Sequence, residues 1–143
     1  MTFKQLQAKI GEQNKADWHT HKNGGGWVHK SAHVDDSAYI GENAIILSGD
    51  AQVSGDAQVS GDAWVWGNAW VSGDAWEKSP LFIMGSRHSL TNAKYGHIQI
   101  GCHCKTIDWW MENYKDIGKK EGYSAEEIAE YGAYIKLFKN VGK

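Results

Sequence analysis

The strongest constraint on this chain is a six-residue period. From Val28 an aliphatic residue returns at Val34 and Ile40, and after one inserted residue at Leu47, Val53, Val59, Val65 and Val71. Four places after each stands alanine: Ala32, Ala38, Ala44, Ala51, Ala57, Ala63, Ala69 and Ala75. Turn pairs separate them, as at Gly49-Asp50, Gly55-Asp56, Gly61-Asp62, Gly67-Asn68 and Gly73-Asp74. A fixed repeat of this kind describes short units that cannot bury their apolar side alone and must stack. Each unit reads as a short strand with its aliphatic side chain inward, then a corner that admits only a small side chain. Gly-Asp and Gly-Asn suit the corner because Gly and Asn tolerate positive φ.

These residues resemble the hexapeptide-repeat family, in which an aliphatic residue is followed four positions later by a small one and three hexads form one triangular coil. The resemblance covers roughly residues 27–77. It implies a mainly β chain: a left-handed parallel β-helix of under three coils, with an N-terminal helix and a C-terminal β-plus-two-helix region. The corresponding segments are 1–26 (helix and glycine-rich lead-in), 27–77 (repeat) and 78–143 (C-terminal region).

If three hexads make a coil, side-chain alternation puts Trp27, Ile46 and Trp64 in one outward column, with His29, Ser48 and Trp66 beside it. The other faces carry His33, Gln52 and Trp70, and Tyr39, Gln58 and Trp76. The first face is strongly apolar and calls for a cover: the C-terminal region, another subunit or a ligand. An uncovered face gives a reason for homo-oligomers, and a trimer is what the family resemblance implies.

The flanks carry helix signals. Thr2 with Gln5 forms a capping box, and Phe3, Leu6 and Ile10 share one face of a helix running to about Glu12. Leu81–Met84 and Tyr95–Cys102 read as strands, with turn signals at Asn92 and Gly96. Behind a Thr106 cap, Ile107, Trp110, Met111, Tyr114 and Ile117 make a helical stripe. Gly122 fits a C-cap, and Ser124 with Glu127 opens a last helix whose stripe is Ile128, Tyr131, Ile135 and Phe138.

Charge excludes some functions. With 15 Lys+Arg against 17 Asp+Glu, the net charge of -2 gives no reason to expect nucleic acid. No apolar run approaches the ~20 residues of a membrane span. No basic-then-apolar start marks a signal peptide, and the two cysteines, Cys102 and Cys104, are too close for a disulfide framework. The expected setting is a reducing cytoplasm.

Chemistry-bearing residues concentrate in Gly85–Thr91 and Gly101–Thr106. Arg87, the sole arginine, can grip a phosphate or carboxylate bidentately, with Ser86, His88, Thr91, His103 or the helix start at Thr106 completing an anion site. Equally, Arg87 can pair with an acidic residue while the hydroxyls form turns. Gly25, in the Gly24-Gly25-Gly26 run, offers backbone N–H groups to an anion or serves as a hinge. Trp64 and Trp66 can stack on a planar ligand. Cys102, His103 and Cys104 have the wrong spacing for structural zinc, and His19 and His21 lack a third ligand, so no metal and no other cofactor is expected.

In layout the chain also resembles uncharacterised hexapeptide-repeat proteins of phage and prophage genomes, through Asn23 to Trp27, Gly85–Arg87 and Gly101–Cys102. That resemblance implies a viral origin and action in the host cytosol. Three functions follow for test. The first is a non-enzymatic protein that binds or sequesters a small anionic, nucleotide-like ligand, in a counter-defence role. The second is an inhibitor of a host protein through the tryptophans. The third is an acyltransferase, the common activity of the hexapeptide family, with a histidine such as His29, His33, His88 or His103 as base. Catalytic residues are assigned to none of the positions above.

Overall fold

The computed structural model describes residues 1–143 and divides the chain into two compact units, Met1–Pro80 and Leu81–Lys143. No helix is long and apolar enough to cross a membrane.

The N-terminal unit opens with α1 (Phe3–Ile10), held by both hydrogen bonds of the Thr2–Gln5 capping box. Ten short strands follow. They are β1 (Trp18–Thr20), β2 (Trp27–His29), β3 (His33–Val34), β4 (Tyr39–Ile40), β5 (Ile45–Ile46), β6 (Gln52–Ser54), β7 (Gln58–Val59), β8 (Trp64–Val65), β9 (Trp70–Ser72) and β10 (Ala75–Trp76). They assemble into three small sheets, β1-β2-β5-β8, β3-β6-β9 and β4-β7-β10. The last two are parallel, whereas β1 joins the first antiparallel to β2.

The C-terminal unit holds a fourth sheet, wholly antiparallel, of β11 (Phe82–Met84), β12 (Ser89–Thr91), β13 (His97–Ile100) and β14 (His103–Thr106). It is packed by α2 (Ile107–Lys120) and α3 (Ala125–Val141). The expectation of a single left-handed parallel β-helix is therefore corrected. The strands are distributed over several separate small sheets of mixed direction. The physical reason is that the repeat specifies two-residue strands and their corners, while β1 and β11 to β14 lie outside it and hydrogen-bond antiparallel.

Within the repeat most of the expected inward positions are buried: Val28, Ile40, Val53, Val59, Val65 and Val71, with Ala38, Ala44, Ala51, Ala57, Ala63 and Ala69. Val34 and Ala32 are half-buried, Ala75 is exposed, and Ile46 is buried in the place expected of Leu47. The expected columns shift at two places. Ile45, not Ile46, stands between Trp27 and Trp64, because Val28 pairs with Ile46 and Ile46 with Val65. The extra residue thus falls after Ile46, so Leu47 is not the inward position. It is absorbed near Gly49, whose φ of 114° and close approach to the Gly67 carbonyl (2.6 Å for an added Cβ) exclude a side chain. At the far end Ala75 pairs with Gln58 and Trp76 with Val59, so Trp76 turns inward and is buried.

The apolar first face is covered from within the unit. Leu6 of α1, fully buried, packs with Trp18, Trp27 and Ile45, and Phe3, Ile10, Leu47 and Trp64 surround them. Phe3 meets Trp27 edge-on at 5.5 Å, and the Trp27 indole N–H donates to the Met1 carbonyl at 2.8 Å. The C-terminal helices have a different task. Trp110, Tyr131, Ile135 and Phe138 bury Leu90, Ile98 and Ile100 of their own sheet.

Candidate functional site

The C-terminal unit contains a cavity of about 270 Å³ between α2, α3 and the β13–β14 turn. Its position follows from how the helices meet. A Cβ at Gly118 would lie 2.7 Å from Ile128, and one at Gly132 would lie 2.6 Å from the Tyr114 ring, so two glycines let the helices approach and seat that tyrosine. Trp110 is held by its indole N–H, which donates to the Ile98 carbonyl at 2.9 Å. Tyr123 sits in the α2–α3 connection and meets Tyr131 edge-on at 5.2 Å. These four aromatic residues, with Ile100, Ile117, Ile128 and Ile135, make most of the wall. The polar remainder is His88, Cys102, His103 and Glu121.

Tyr131 organises one side. Its hydroxyl accepts from the Arg87 and His88 amides at 3.0 and 2.6 Å and donates to the His88 carbonyl at 2.7 Å. That fixes the β11–β12 turn against α3 and lays the His88 imidazole over Gly101, where an added Cβ would be 3.5 Å from the ring. Opposite, the His103 Nε2 is 4.0 Å from a Glu121 oxygen. Burial, reinforced by the neighbouring Tyr131, pushes the Tyr123 phenol up to about 12, so it remains a neutral hydrogen-bond donor. Burial also raises the Cys104 thiol. Both cysteines are free, and no three His, Cys, Asp or Glu side chains converge to hold a metal ion.

Of the residues assigned to ligand binding from the sequence, only His88 and His103 line this cavity, where Cys102 joins them. Arg87 is engaged elsewhere. Its Nη1 donates to the Gly122 carbonyl at 2.9 Å, its Nε lies 3.6 Å from Glu127, and its guanidinium stacks 4.4 Å over Tyr123. It clamps the end of α2 to the start of α3, which is the ion-pair alternative rather than the anion grip. Ser86 donates from its amide and hydroxyl to the Glu130 carboxylate at 2.9 and 2.7 Å. Those two bonds, the hydroxyl's first, hold the Glu130 carboxyl below the usual carboxylate range, and Glu130 in turn raises the Tyr134 phenol. Thr91 is buried on β12, paired with Phe82 and Gln99, and the Thr106 hydroxyl caps α2 by accepting from the Trp109 amide.

The remaining candidates belong to the N-terminal unit. Trp64 packs with the α1 cluster, and Trp66 is half exposed in the turn after β8. The Gly25 N–H donates to the His21 carbonyl at 3.0 Å and the Gly26 N–H to the Ile40 carbonyl at 2.9 Å. The Gly25 and Gly26 amides are thus occupied within a tight turn and are not offered to an anion. His21 is buried, and its Nε2 faces the Ala38 carbonyl at 3.0 Å, so that nitrogen carries the proton.

Tyr114, Tyr123 and Glu121 belong to no chemical motif in the sequence and join the cavity only through the fold. The signal was the density of aromatic residues in the helical stripes, which serves packing and a cavity wall alike. Comparison of the chain with protein-family models, curated proteins and solved structures yields no match to any of them.

Proposed function

We propose that this protein is a non-enzymatic binding protein that holds the planar part of a small molecule in the cavity of its C-terminal unit. The observation that carries this reading is the cavity wall: Trp110, Tyr114, Tyr123 and Tyr131 around about 270 Å³, with His88, His103 and Glu121 among them. Apolar walls with a few polar groups are the usual make-up of a small-molecule site, and the volume sits near the lower end of the ~300–1,000 Å³ common for such sites. One ring system fits that size better than a whole dinucleotide. A nucleotide-like ligand stays within the proposal as a base held in the cavity. The anion grip first assigned to Arg87 drops out of it, since that side chain already has a carbonyl, a carboxylate and a ring as partners.

Sequestration in the cytosol of a bacterial host, by a phage-encoded protein, is the setting we attach to this reading, and it rests on the resemblance given above. Native mass spectrometry of protein taken directly from cells, then after denaturation and refolding, tests the binding. An extra mass lost on refolding is the expected result. Its absence, together with no binding of any aromatic compound, would remove the proposal. The same spectra report whether the protein is a trimer. Covering of the Trp27 face by α1 takes away the reason for association that the sequence offered.

A second reading has its own observation. Trp70 and Tyr39 in the N-terminal unit are 41% and 40% exposed, and large exposed aromatics suit a protein contact. Under that reading the partner is a host protein, and Trp70→Ala weakens its capture without lowering stability. An acyltransferase requires turnover of an acyl-CoA, and no arrangement in the cavity favours it.

A further inference from the structure

The chemistry of the cavity narrows its ligand further, on the footing of the small-molecule reading above. Glu121 is the one acidic residue in the lining, and no lysine or arginine joins it. A phosphate placed there would meet a carboxylate without a fixed cation, whereas a group rich in N–H donors would be welcomed. The other carboxylates nearby are occupied: Glu127 by the Ser124 amide and Arg87, Glu130 by Ser86. Glu121 differs. Its nearest side-chain partner is the His103 Nε2 at 4.0 Å, beyond hydrogen-bond reach. The result is a carboxylate without a hydrogen-bond partner among the residues of an aromatic-walled cavity, with His103 beside it and the Tyr123 phenol as a donor.

We propose that the cavity selects a flat heteroaromatic ring bearing two adjacent N–H donors on one edge, as guanine and 2-amino-4-pyrimidinones do, with the Glu121 carboxylate accepting both. Two parallel N–H···O bonds to one carboxylate form the same fork that arginine makes, which supplies both strength and geometric discrimination. Tyr114 and Tyr123 line the same cavity, and aromatic walls favour a flat ring over an aliphatic group. A ring that presents an acceptor to Glu121 instead leaves the carboxylate facing a lone pair, which is the kind of mismatch that a polar site rejects most strongly.

The test is isothermal titration of the full-length protein with three neutral nucleosides, guanosine, inosine and adenosine, followed by the same series on Glu121→Gln. Guanosine offers both donors, inosine one, and adenosine sets a ring nitrogen acceptor beside its amino group. The expected order is guanosine, then inosine, then adenosine, with at least about tenfold between the first and last, the scale of one charge-assisted hydrogen bond. Glu121→Gln should bring guanosine to the level of adenosine while the thermal midpoint stays in place, because this side chain is half exposed and its one polar contact, to His103 at 4.0 Å, is too long for a hydrogen bond. Equal affinities in the wild-type protein, or an unchanged guanosine affinity in the variant, would overturn the selectivity and leave the small-molecule reading standing. Should the variant lose stability, the wild-type series alone decides. No binding of any nucleoside, nor of 2-amino-4-pyrimidinone or uncharged aromatic fragments, would remove both readings together.

Discussion

At the residue scale the C-terminal unit turns on a few polar side chains that tie loops to helices. Tyr131 makes three hydrogen bonds to the backbone at Arg87 and His88 from a largely buried position. Tyr131→Phe strands those groups, and the expected loss is on the order of 2 kcal/mol in urea unfolding, with a weaker grip on any ligand that touches His88. Glu130 gives a pH signature. Its carboxyl is held below the ordinary 4.5 by the Ser86 hydroxyl and amide, so the folded state binds its proton less readily than the unfolded chain. The stabilisation is present above the unfolded value and is lost as pH falls through the lowered folded one. Denaturation midpoints followed from about pH 6 down to about pH 3 should therefore fall more steeply in the wild-type protein than in Glu130→Gln. Parallel curves would mean that the Ser86 link contributes nothing.

At the element scale, short strands place heavy demands on their corners and covers. The strands of the repeat are two or three residues long, too short to be stable by themselves, so stacking and the α1 cover hold them. Leu6 anchors that cover, and Leu6→Ala should cost about 3 kcal/mol by calorimetry or denaturant, within the range for a fully buried leucine. Gly49→Ala should also destabilise, since both its φ of 114° and the 2.6 Å approach to the Gly67 carbonyl oppose a Cβ. A stable Gly49→Ala variant would show that the extra residue is accommodated elsewhere. The helix ends were readable in advance for a simple reason. The Thr2–Gln5 and Ser124–Glu127 boxes depend on residues three apart, so local spacing alone specifies them.

At the scale of the whole molecule, two units carry two separate apolar cores, one around Leu6 and Ile45, the other around Ile98, Trp110 and Phe138. Residues 81–143 expressed alone should fold cooperatively and keep the cavity, because every residue that lines it lies in that segment. Far-ultraviolet circular dichroism and titration with guanosine check both points. A segment that stays unfolded would refute its independence. What the sequence by itself determined is local: the inward aliphatic and alanine positions from Val53 to Val71, where chain corners fall, and where the three helices begin and which stripe each buries. Those follow from periodicity and from capping pairs a few residues apart. Only the tertiary structure decided the rest. The place of the extra residue after Ile46 depends on which distant strand pairs with β5, and a count along the chain permits either register. The antiparallel strands that break the expected single β-helix, the cover over Trp27, the diversion of Arg87 to Gly122 and Tyr123, and the meeting of Glu121 with three tyrosines all join residues far apart in sequence. An arginine's partner is set by which groups come within reach at the least desolvation cost, and that competition is resolved only when the helices pack.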